Sequence, residues 1–173
     1  MREDPAVALV APNPAHWEQR FEALRDRVLS ILPDAIVEHI GSTAVAGMFA
    51  KDVVDVLVGV AADELSTAVT TLSDDGLDLE GHRPHHAWLS LPSRSDRTAI
   101  VHVVALDSAQ WRDRLDFRDL LRSSPGARES HLAVKRSLAD GETGWGRYTA
   151  GKARIVQDLL DEYRAGKTIS SSA

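Results

Sequence analysis

Apolar residues recur along this chain at two spacings, and each spacing predicts a different element. Residues 14–32 place apolar side chains every three to four positions, which predicts an amphipathic helix capped by Asn13 and started by Pro14. Residues 36–40 and 53–60 are apolar, β-branched runs typical of strands. The second run is nearly continuous, which is the pattern of a strand buried on both faces.

The pattern changes after the first third of the chain. A helix is predicted over residues 64–73, and strands over 88–91 and 98–105 on either side of a turn-rich segment. Three helices follow, and they are predicted over residues 108–122, 125–139 and 145–164. Strands early and helices late favour an α+β fold, with a mixed β-sheet backed by helices and a helical C-terminal third.

Length and end composition indicate how the domain is organised. The chain has 173 residues, enough for one domain with a sizeable core. We expect a single domain over residues 1–166. Residues 167–173 are rich in Ser and small side chains, so a flexible tail is expected there.

Charge and composition narrow the classes of partner. The net charge of -6 argues against nonspecific binding to nucleic acid or to an anionic membrane. No apolar run approaches the roughly 20 residues that span a bilayer. The chain has no cysteine, which excludes disulfides and thiolate metal sites. We expect a cytoplasmic protein without nucleic-acid or membrane partners.

Candidate chemistry begins where the first strand ends, at the turn Gly41-Ser42-Thr43. Glycine lets the backbone approach a phosphate closely, and the two hydroxyls can donate hydrogen bonds to it. The alternative is an ordinary turn or helix cap after a strand, because Gly, Ser and Thr are common in turns.

Asp55 lies inside the second apolar strand, where a charge is costly unless it is paired or bound to a metal. A carboxylate there could hold Mg²⁺, or it could be satisfied by Lys51 or by other nearby donors. Strand alternation puts Asp55 on the same face as Leu57 and puts Asp52 on the opposite face. Since Leu57 offers no oxygen, a second metal ligand must come from another segment.

His102 is the candidate for that second ligand, because it lies in the middle of the strand over 98–105. An imidazole suits Mn²⁺ or Zn²⁺ better than Mg²⁺, and the alternative is a hydrogen-bonded structural histidine. His82, His85 and His86 match no standard ligand spacing, and we interpret them as part of an exposed loop.

The C-terminal helices carry basic and polar side chains at helical spacing. Members of each pair share a helix face, where they would clamp an anionic ligand or remain as solvated surface charge, and Lys135 would add a point charge. The pairs are Arg118 with Arg122, Arg128 with His131, and Tyr148 with Lys152.

Several segments, in order along the chain, resemble the GrpB family. The stretch EHIGSTAVAG at residues 38–47 is similar to the family signature EHIGSTSVPG, and KDVVDV at 51–56 is similar to its KPIIDI strand. Residues 101–104 and 117–122 resemble its LHVV strand and FRDYLR helix. Asn13 to Trp17, residues 132–135 and the Tyr148-x-x-x-Lys152 spacing resemble further elements of the family.

The resemblance implies a nucleotidyltransferase fold, in which a Gly-Ser turn and acidic strand residues place Mg²⁺ and a nucleoside triphosphate. For an enzyme of this kind we expect Asp55 and Lys51 to take part in catalysis, and Asp55 with His102 to hold the metal. The ligand-binding residues that the resemblance implies are Gly41, Ser42, Thr43, Arg118, Tyr148 and Lys152. The chain departs from the family pattern at Ala46, Asp52 and Leu57, and Leu57 occupies the position of a second acid in active nucleotidyltransferases.

Three functions therefore remain open from the sequence. The first is a metal-dependent nucleotidyltransferase that acts on a small-molecule or protein acceptor. The second is a non-catalytic module that binds a nucleotide or phosphorylated metabolite at a degenerate metal site. The third is an accessory protein that uses its helical face to assist a protein partner.

Overall fold

The computed structural model describes residues 8–138 and 145–170, with the backbone alone described for 145–149 and 167–170. Five helices and five strands lie in this described part. The helices are α1 (Pro14–Ile31), α2 (Leu65–Asp74), α3 (Ala109–Ser123), α4 (Pro125–Leu138) and α5 (Trp145–Ser170). The strands are β1 (Ile36–Ile40), β2 (Val54–Val60), β3 (Asp78–Arg83), β4 (His86–Ser93) and β5 (Asp96–Ala105).

The strands form one sheet in the order β1-β2-β5-β4-β3. The neighbours β2 and β5 are parallel, and the other neighbouring pairs are antiparallel. The sheet is therefore mixed, as the sequence predicts. Six of the seven residues of β2 are buried, five of them in succession from Val56 to Val60, which confirms the prediction of a strand covered on both faces.

One face of the sheet packs against α1 and α2 and forms the main apolar core. Because alternate strand residues point to opposite faces, every second residue of β2 and β5 reaches this core. Each such side chain contributes about 1.5–3 kcal/mol when it is fully buried. The members of this core include Trp17, Phe21, Val28, Val54, Val56, Val58, Leu72, Leu89, Val101 and Val103.

The helical C-terminal third covers part of the other face. Trp111 and Leu115 of α3 pack over Ile40, Leu57 and Val104. A second cluster joins α3, α4 and α5 to the segment between β1 and β2, through Val45, Met48, Leu120, Leu121 and Ala127. The C-terminal helices thus close over the turn that follows β1.

The hairpin formed by β3 and β4 corrects the expectation of an exposed loop around its histidines. His82 lies in β3 and His86 begins β4, where the two strands pair antiparallel. His85 lies in the connecting turn at φ 63°. β3 lacks an apolar run because it is an edge strand, and a register shift between Leu79 and Gly81 interrupts its alternation.

Helix ends differ from the predictions by a few residues. Ser108 precedes α3, and its hydroxyl accepts a hydrogen bond from the amide of Trp111 at 3.1 Å. α5 continues to Ser170, where the sequence predicts a flexible tail from residue 167. Across the described residues, no helix combines the length and the apolar character needed to cross a membrane.

Candidate functional site

A cavity of about 120 Å³ lies where the turn after β1 meets β2 and the C-terminal helices. The turn and the segment leading into β2 form one side, and α3, α4 and α5 form the other. The lining residues are Gly41, Ser42, Thr43, Ala50, Lys51, Val53, Asp55, Phe117, His131, Lys135, Lys152 and Val156. Residues more than 100 positions apart in the chain therefore meet at one small site.

Gly41 and Asp55 are in close approach at the floor of this cavity. β1 pairs with β2 so that Ile40 lies opposite Asp55, which brings the turn beside the carboxylate. Gly41 has a φ of 72°, and a Cβ built there would lie 2.6 Å from Oδ2 of Asp55. Glycine is therefore required at this position both by its backbone conformation and by the space available.

The two hydroxyls of the turn differ in their surroundings. Ser42 Oγ accepts a hydrogen bond from Lys135 Nζ at 2.9 Å, so its own hydrogen remains for a ligand. Thr43 is buried, and its Oγ1 lies 3.0 Å from Nε2 of His39, which stacks on Phe21. Thr43 lines the cavity, but its hydroxyl joins the turn to β1 and α1.

Three lysines surround the cavity. Lys135 is 2% exposed and also donates to the backbone carbonyl of Phe49 at 2.7 Å. Burial lowers the pKa of Lys135 to about 7, and the Lys51 ammonium adds to this effect. Burial likewise lowers the pKa of Lys152 to about 7. Ammonium groups that lose charge this readily favour an anionic ligand that restores it.

Asp55 remains ionised within this group. Burial alone would raise the pKa of its carboxyl, but Lys51, His102 and Lys152 together outweigh burial and hold the pKa well below its usual range. Burial also lowers the pKa of Lys51, and Asp55 opposes that change. The carboxylate is thus a counter-ion for the lysines rather than a proton donor.

His131 of α4 is the remaining polar group of the helical wall. Its side chain is 4% exposed, and its Nδ1 is buried without a hydrogen-bond partner among the described residues. Burial and the neighbouring Lys135 and Lys152 lower the pKa of its imidazole to about 3. The ring is therefore neutral and meets Phe117 edge-on, with centroids 5.2 Å apart.

A chain of polar side chains leads from Asp55 across the sheet. Nε2 of His102 lies 3.7 Å from Oδ1 of Asp55, and its Nδ1 lies 3.1 Å from Nε2 of His86. His86 is in turn 3.3 Å from the guanidinium of Arg114. Burial lowers the pKa of His102, and burial together with Arg114 lowers that of His86 to about 3.

These residues do not fit a magnesium site. Among the described lining residues, Asp55 offers the single carboxylate, and Leu57 is fully buried under α3. Magnesium prefers oxygen ligands, whereas the neighbouring groups are ammonium ions and an imidazole already engaged with a second histidine. No group of three or more metal-binding side chains occurs in the described part of the chain.

Comparison with known sequences identifies the family. The sequence model of the GrpB protein family matches residues 6–162. The chain belongs to the GrpB family. It is 42% identical over 159 residues to a UPF0157 protein of Deinococcus radiodurans. The aligned region covers 92% of this chain and 84% of that relative. The resemblance drawn from the sequence motifs is thus confirmed.

Solved structures confirm the fold. The crystal structure of the conserved protein GrpB from Enterococcus faecalis is similar at a TM-score of 0.75 and 27% identity, over 90% of this chain and 99% of that one. The Cid1 poly(U) polymerase, in a structure with Mg 3′-dATP bound, matches at a TM-score of 0.51 and 17% identity. That match covers 72% of this chain and 42% of the polymerase. The GrpB chain therefore has the predicted nucleotidyltransferase-like α+β fold.

Most of the predicted site residues come together. Gly41, Ser42, Thr43, Lys51, Asp55 and Lys152 all line the cavity. His102 lies beside Asp55 on the same face of the sheet. Arg118 is absent from the described lining, because its guanidinium donates to Glu38, Asp119 and the carbonyl of His39. The side chain of Tyr148 lies outside the described residues.

The predicted pair of Arg128 and His131 does not face the cavity together in the structure. Arg128 donates to the carbonyls of Leu121 and Arg122 at the junction of α3 and α4. His131 and Lys135, four positions apart on α4, are the pair that faces the cavity. Their i,i+4 spacing in the sequence is the signal that would have identified the pair.

Asp52 has a structural role at the entrance of β2. It precedes β2 and accepts hydrogen bonds from the indole of Trp17 at 3.0 Å and from Arg20 at 3.3 Å. The acid that replaces the family's proline thus joins the entrance of β2 to α1. Of the two acids, only Asp55 lines the cavity.

Proposed function

We propose that this GrpB-family protein is a binding module for the phosphate groups of a nucleotide or of another phosphorylated metabolite. The ligand would occupy the cavity between the Gly41-Ser42-Thr43 turn and the helical wall, with no metal-dependent transfer. The observation that carries the proposal is that three lysines and a single carboxylate face one another across this turn.

Charge and hydrogen-bonding capacity both support an anionic ligand. With its three ammonium groups protonated, the cavity wall carries more positive charge than Asp55 can neutralise. Ser42 has a free hydroxyl hydrogen, and the glycine turn allows close approach of the backbone. Ammonium groups bind phosphate as point charges, which matches the use of lysine rather than arginine among these residues.

Isothermal titration calorimetry and thermal unfolding with ATP, each with Mg²⁺ and with EDTA, test the proposal. We expect binding in EDTA that Mg²⁺ does not strengthen, and we expect no release of pyrophosphate. Saturation at 100 times Kd stabilises a protein by about 2.7 kcal/mol, which is readily measured. Absence of binding by any nucleotide or phosphorylated metabolite would overturn the proposal and favour the accessory-protein hypothesis.

A matched pair of variants on α5 assigns binding to the cavity. Lys152→Gln removes a charge that lines the cavity, whereas Arg154→Gln removes one whose side chain is 93% exposed. We expect Lys152→Gln to weaken ATP binding about tenfold, as for the loss of a charged hydrogen bond, and Arg154→Gln to leave it unchanged. Equal effects of the two variants would contradict binding at this cavity.

The second candidate is a metal-dependent nucleotidyltransferase with a small-molecule or protein acceptor. It is favoured by the fold and by the approach of Gly41 to Asp55, although Leu57 and the lysines do not provide the oxygen ligands of a magnesium site. Pyrophosphate release that requires Mg²⁺ or Mn²⁺ and that Asp55→Asn abolishes would establish this candidate instead. The same variant in a binding module would leave metal-free ATP binding in place.

A further inference from the structure

The cavity is small compared with a nucleotide. Its volume is about 120 Å³, whereas pockets that enclose drug-sized ligands begin at roughly 300 Å³. A ribose and a base therefore do not fit inside together with their phosphates. The polar lining residues converge on this small volume, so the anionic end of the ligand is the part that it fits.

The described lining residues offer little aromatic surface for a base. Nucleobases bind proteins by stacking on aromatic faces. Phe117 is the single carbocyclic aromatic among the described lining residues, and it is in a perpendicular contact with His131 at 82°. The remaining apolar lining residues are Ala50, Val53 and Val156, which offer no planar surface.

His131 lines the cavity and carries a buried polar atom without a hydrogen-bond partner among the described residues. Buried polar atoms are nearly always hydrogen-bonded, yet Nδ1 of His131 has no partner in the part of the chain that the structure describes. Burial, together with the charges of Lys135 and Lys152, lowers the pKa of the imidazole, so the ring is neutral. In the tautomer that carries its hydrogen on Nδ1, the ring donates to an anionic oxygen without adding charge.

We infer that the ligand enters phosphate first, that only its terminal phosphate end occupies the cavity in contact with His131, and that recognition is consequently independent of the nucleobase. This inference rests on the proposed function and adds the ligand's chemical class to it. The ligands are molecules with a terminal phosphate or polyphosphate end, and the rest of each molecule remains outside the cavity.

Calorimetry in EDTA with a series of probes tests base independence. The probes are phosphate, pyrophosphate, tripolyphosphate, adenosine, ATP, GTP, CTP and UTP. We expect the four nucleotides and tripolyphosphate to bind with Kd values within about threefold of one another, and adenosine to give no binding. If the nucleotides bind but tripolyphosphate does not, or if one base is preferred by tenfold or more, the inference is wrong while the proposed function survives.

Variants on α4 test the contact with His131. We expect His131→Ala to weaken the binding of tripolyphosphate and of ATP by the same factor, about tenfold. Each ligand loses one contact to its terminal phosphate end. Glu129→Ala, at an exposed position of the same helix, is the control and should leave both unchanged. Weakening of ATP alone would place His131 beside another part of the nucleotide and overturn the assignment.

A measurement on the native protein avoids any loss of folding in the variant. The ¹⁵N resonance of Nδ1 in His131 should shift when tripolyphosphate is added, since a hydrogen bond forms at that atom. An unshifted resonance at saturating tripolyphosphate would overturn the contact. Failure of every probe, including the nucleotides, would overturn the proposed function itself.

Discussion

The two faces of strand β2 differ in chemistry at Asp55. Toward α1 and α2, Val54, Val56 and Val58 enter a continuous apolar core. Toward the C-terminal helices, the same strand presents Asp55 to three lysines. A single seven-residue strand thus packs into the main core on one side and, at Asp55, lines the cavity on the other.

The difference shows how the chain can hold buried charges without losing its fold. The apolar face supplies burial that depends on no titratable group, whereas the cavity face brings together ammonium ions that repel one another. We therefore expect stability and ligand affinity to respond to different substitutions. The following predictions test that separation, beginning with the largest expected effect.

Leu89→Ala tests the apolar face. Leu89 of β4 is fully buried in the core beside α1 and α2, so its truncation leaves a cavity and should lower the free energy of unfolding by about 2–5 kcal/mol. Urea unfolding measures this loss. Calorimetry below the unfolding transition should give the same tripolyphosphate Kd as the wild-type protein. A changed Kd would show that the two faces are coupled.

Gly41→Ala tests the cavity face. The new methyl group would lie 2.6 Å from Oδ2 of Asp55 at a φ of 72°, so we expect phosphate binding to fall at least about tenfold and stability to fall by about 1–3 kcal/mol. Gly47→Ala is the matched control, since its φ is 76° and a Cβ there meets nothing within 4 Å. If Gly47→Ala weakens binding as much, backbone conformation rather than the approach to Asp55 is responsible.

A pH series should move the two properties in opposite directions. The pKa values of Lys135 and Lys152 are about 7 in the folded protein and near 10.5 when exposed, so the unfolded chain binds more protons between these values. Stability should therefore rise with pH across this window. ATP affinity should fall above pH 7.5, by up to about tenfold per unit for each ammonium that the ligand requires.

Urea unfolding and calorimetry at pH 7.5 to 9.5 measure both trends. ATP is the probe for this series, because its terminal phosphate has a second pKa of about 6 and is already ionised over this range. Lys152→Gln should reduce the slope of both profiles, because it removes one of the two ammonium groups that titrate near pH 7. An affinity that does not change with pH would contradict the role of the lysines.

Asp52→Ala gives the smallest expected effect. The carboxylate of Asp52 is half exposed and accepts from Trp17 and Arg20, so its loss should lower the free energy of unfolding by about 1 kcal/mol. Tripolyphosphate binding should stay the same, because Asp52 does not line the described cavity. Weaker tripolyphosphate binding by this variant would show that Asp52 also contributes to the cavity.

Periodicity predicts much of this fold because the elements concerned are strongly patterned. The period of 3.6 residues defines α1 to within one residue of its end, and the β-branched run defines β2. β3 was missed because Asp78, Glu80 and His82 give it no apolar pattern. As an edge strand it is held by its pairing with β4, which is a tertiary contact that local sequence does not contain.

The candidate site was predictable where a motif carries it. The turn at Gly41 stands out because it belongs to a family motif, and the acid at Asp55 stands out because a charge is unusual inside an apolar strand. His131 and Arg118 are harder, since each is an ordinary residue on a helix surface until the packing of α4 and α3 is known. Packing turns His131 toward the cavity and directs Arg118 to Glu38 and Asp119.

Lys135 joins α4 to the segment between β1 and β2. It donates hydrogen bonds to Ser42 and to the carbonyl of Phe49, which lie 93 and 86 positions earlier in the sequence. A growing polypeptide that has reached only α3 would hold the glycine turn while lacking every helical group that completes the wall from α4 and α5. We expect a bound ligand to stabilise the packing of α4 and α5 against the sheet. Ligand binding would therefore slow the detachment of these two helices and protect the contact between them and the sheet from proteases.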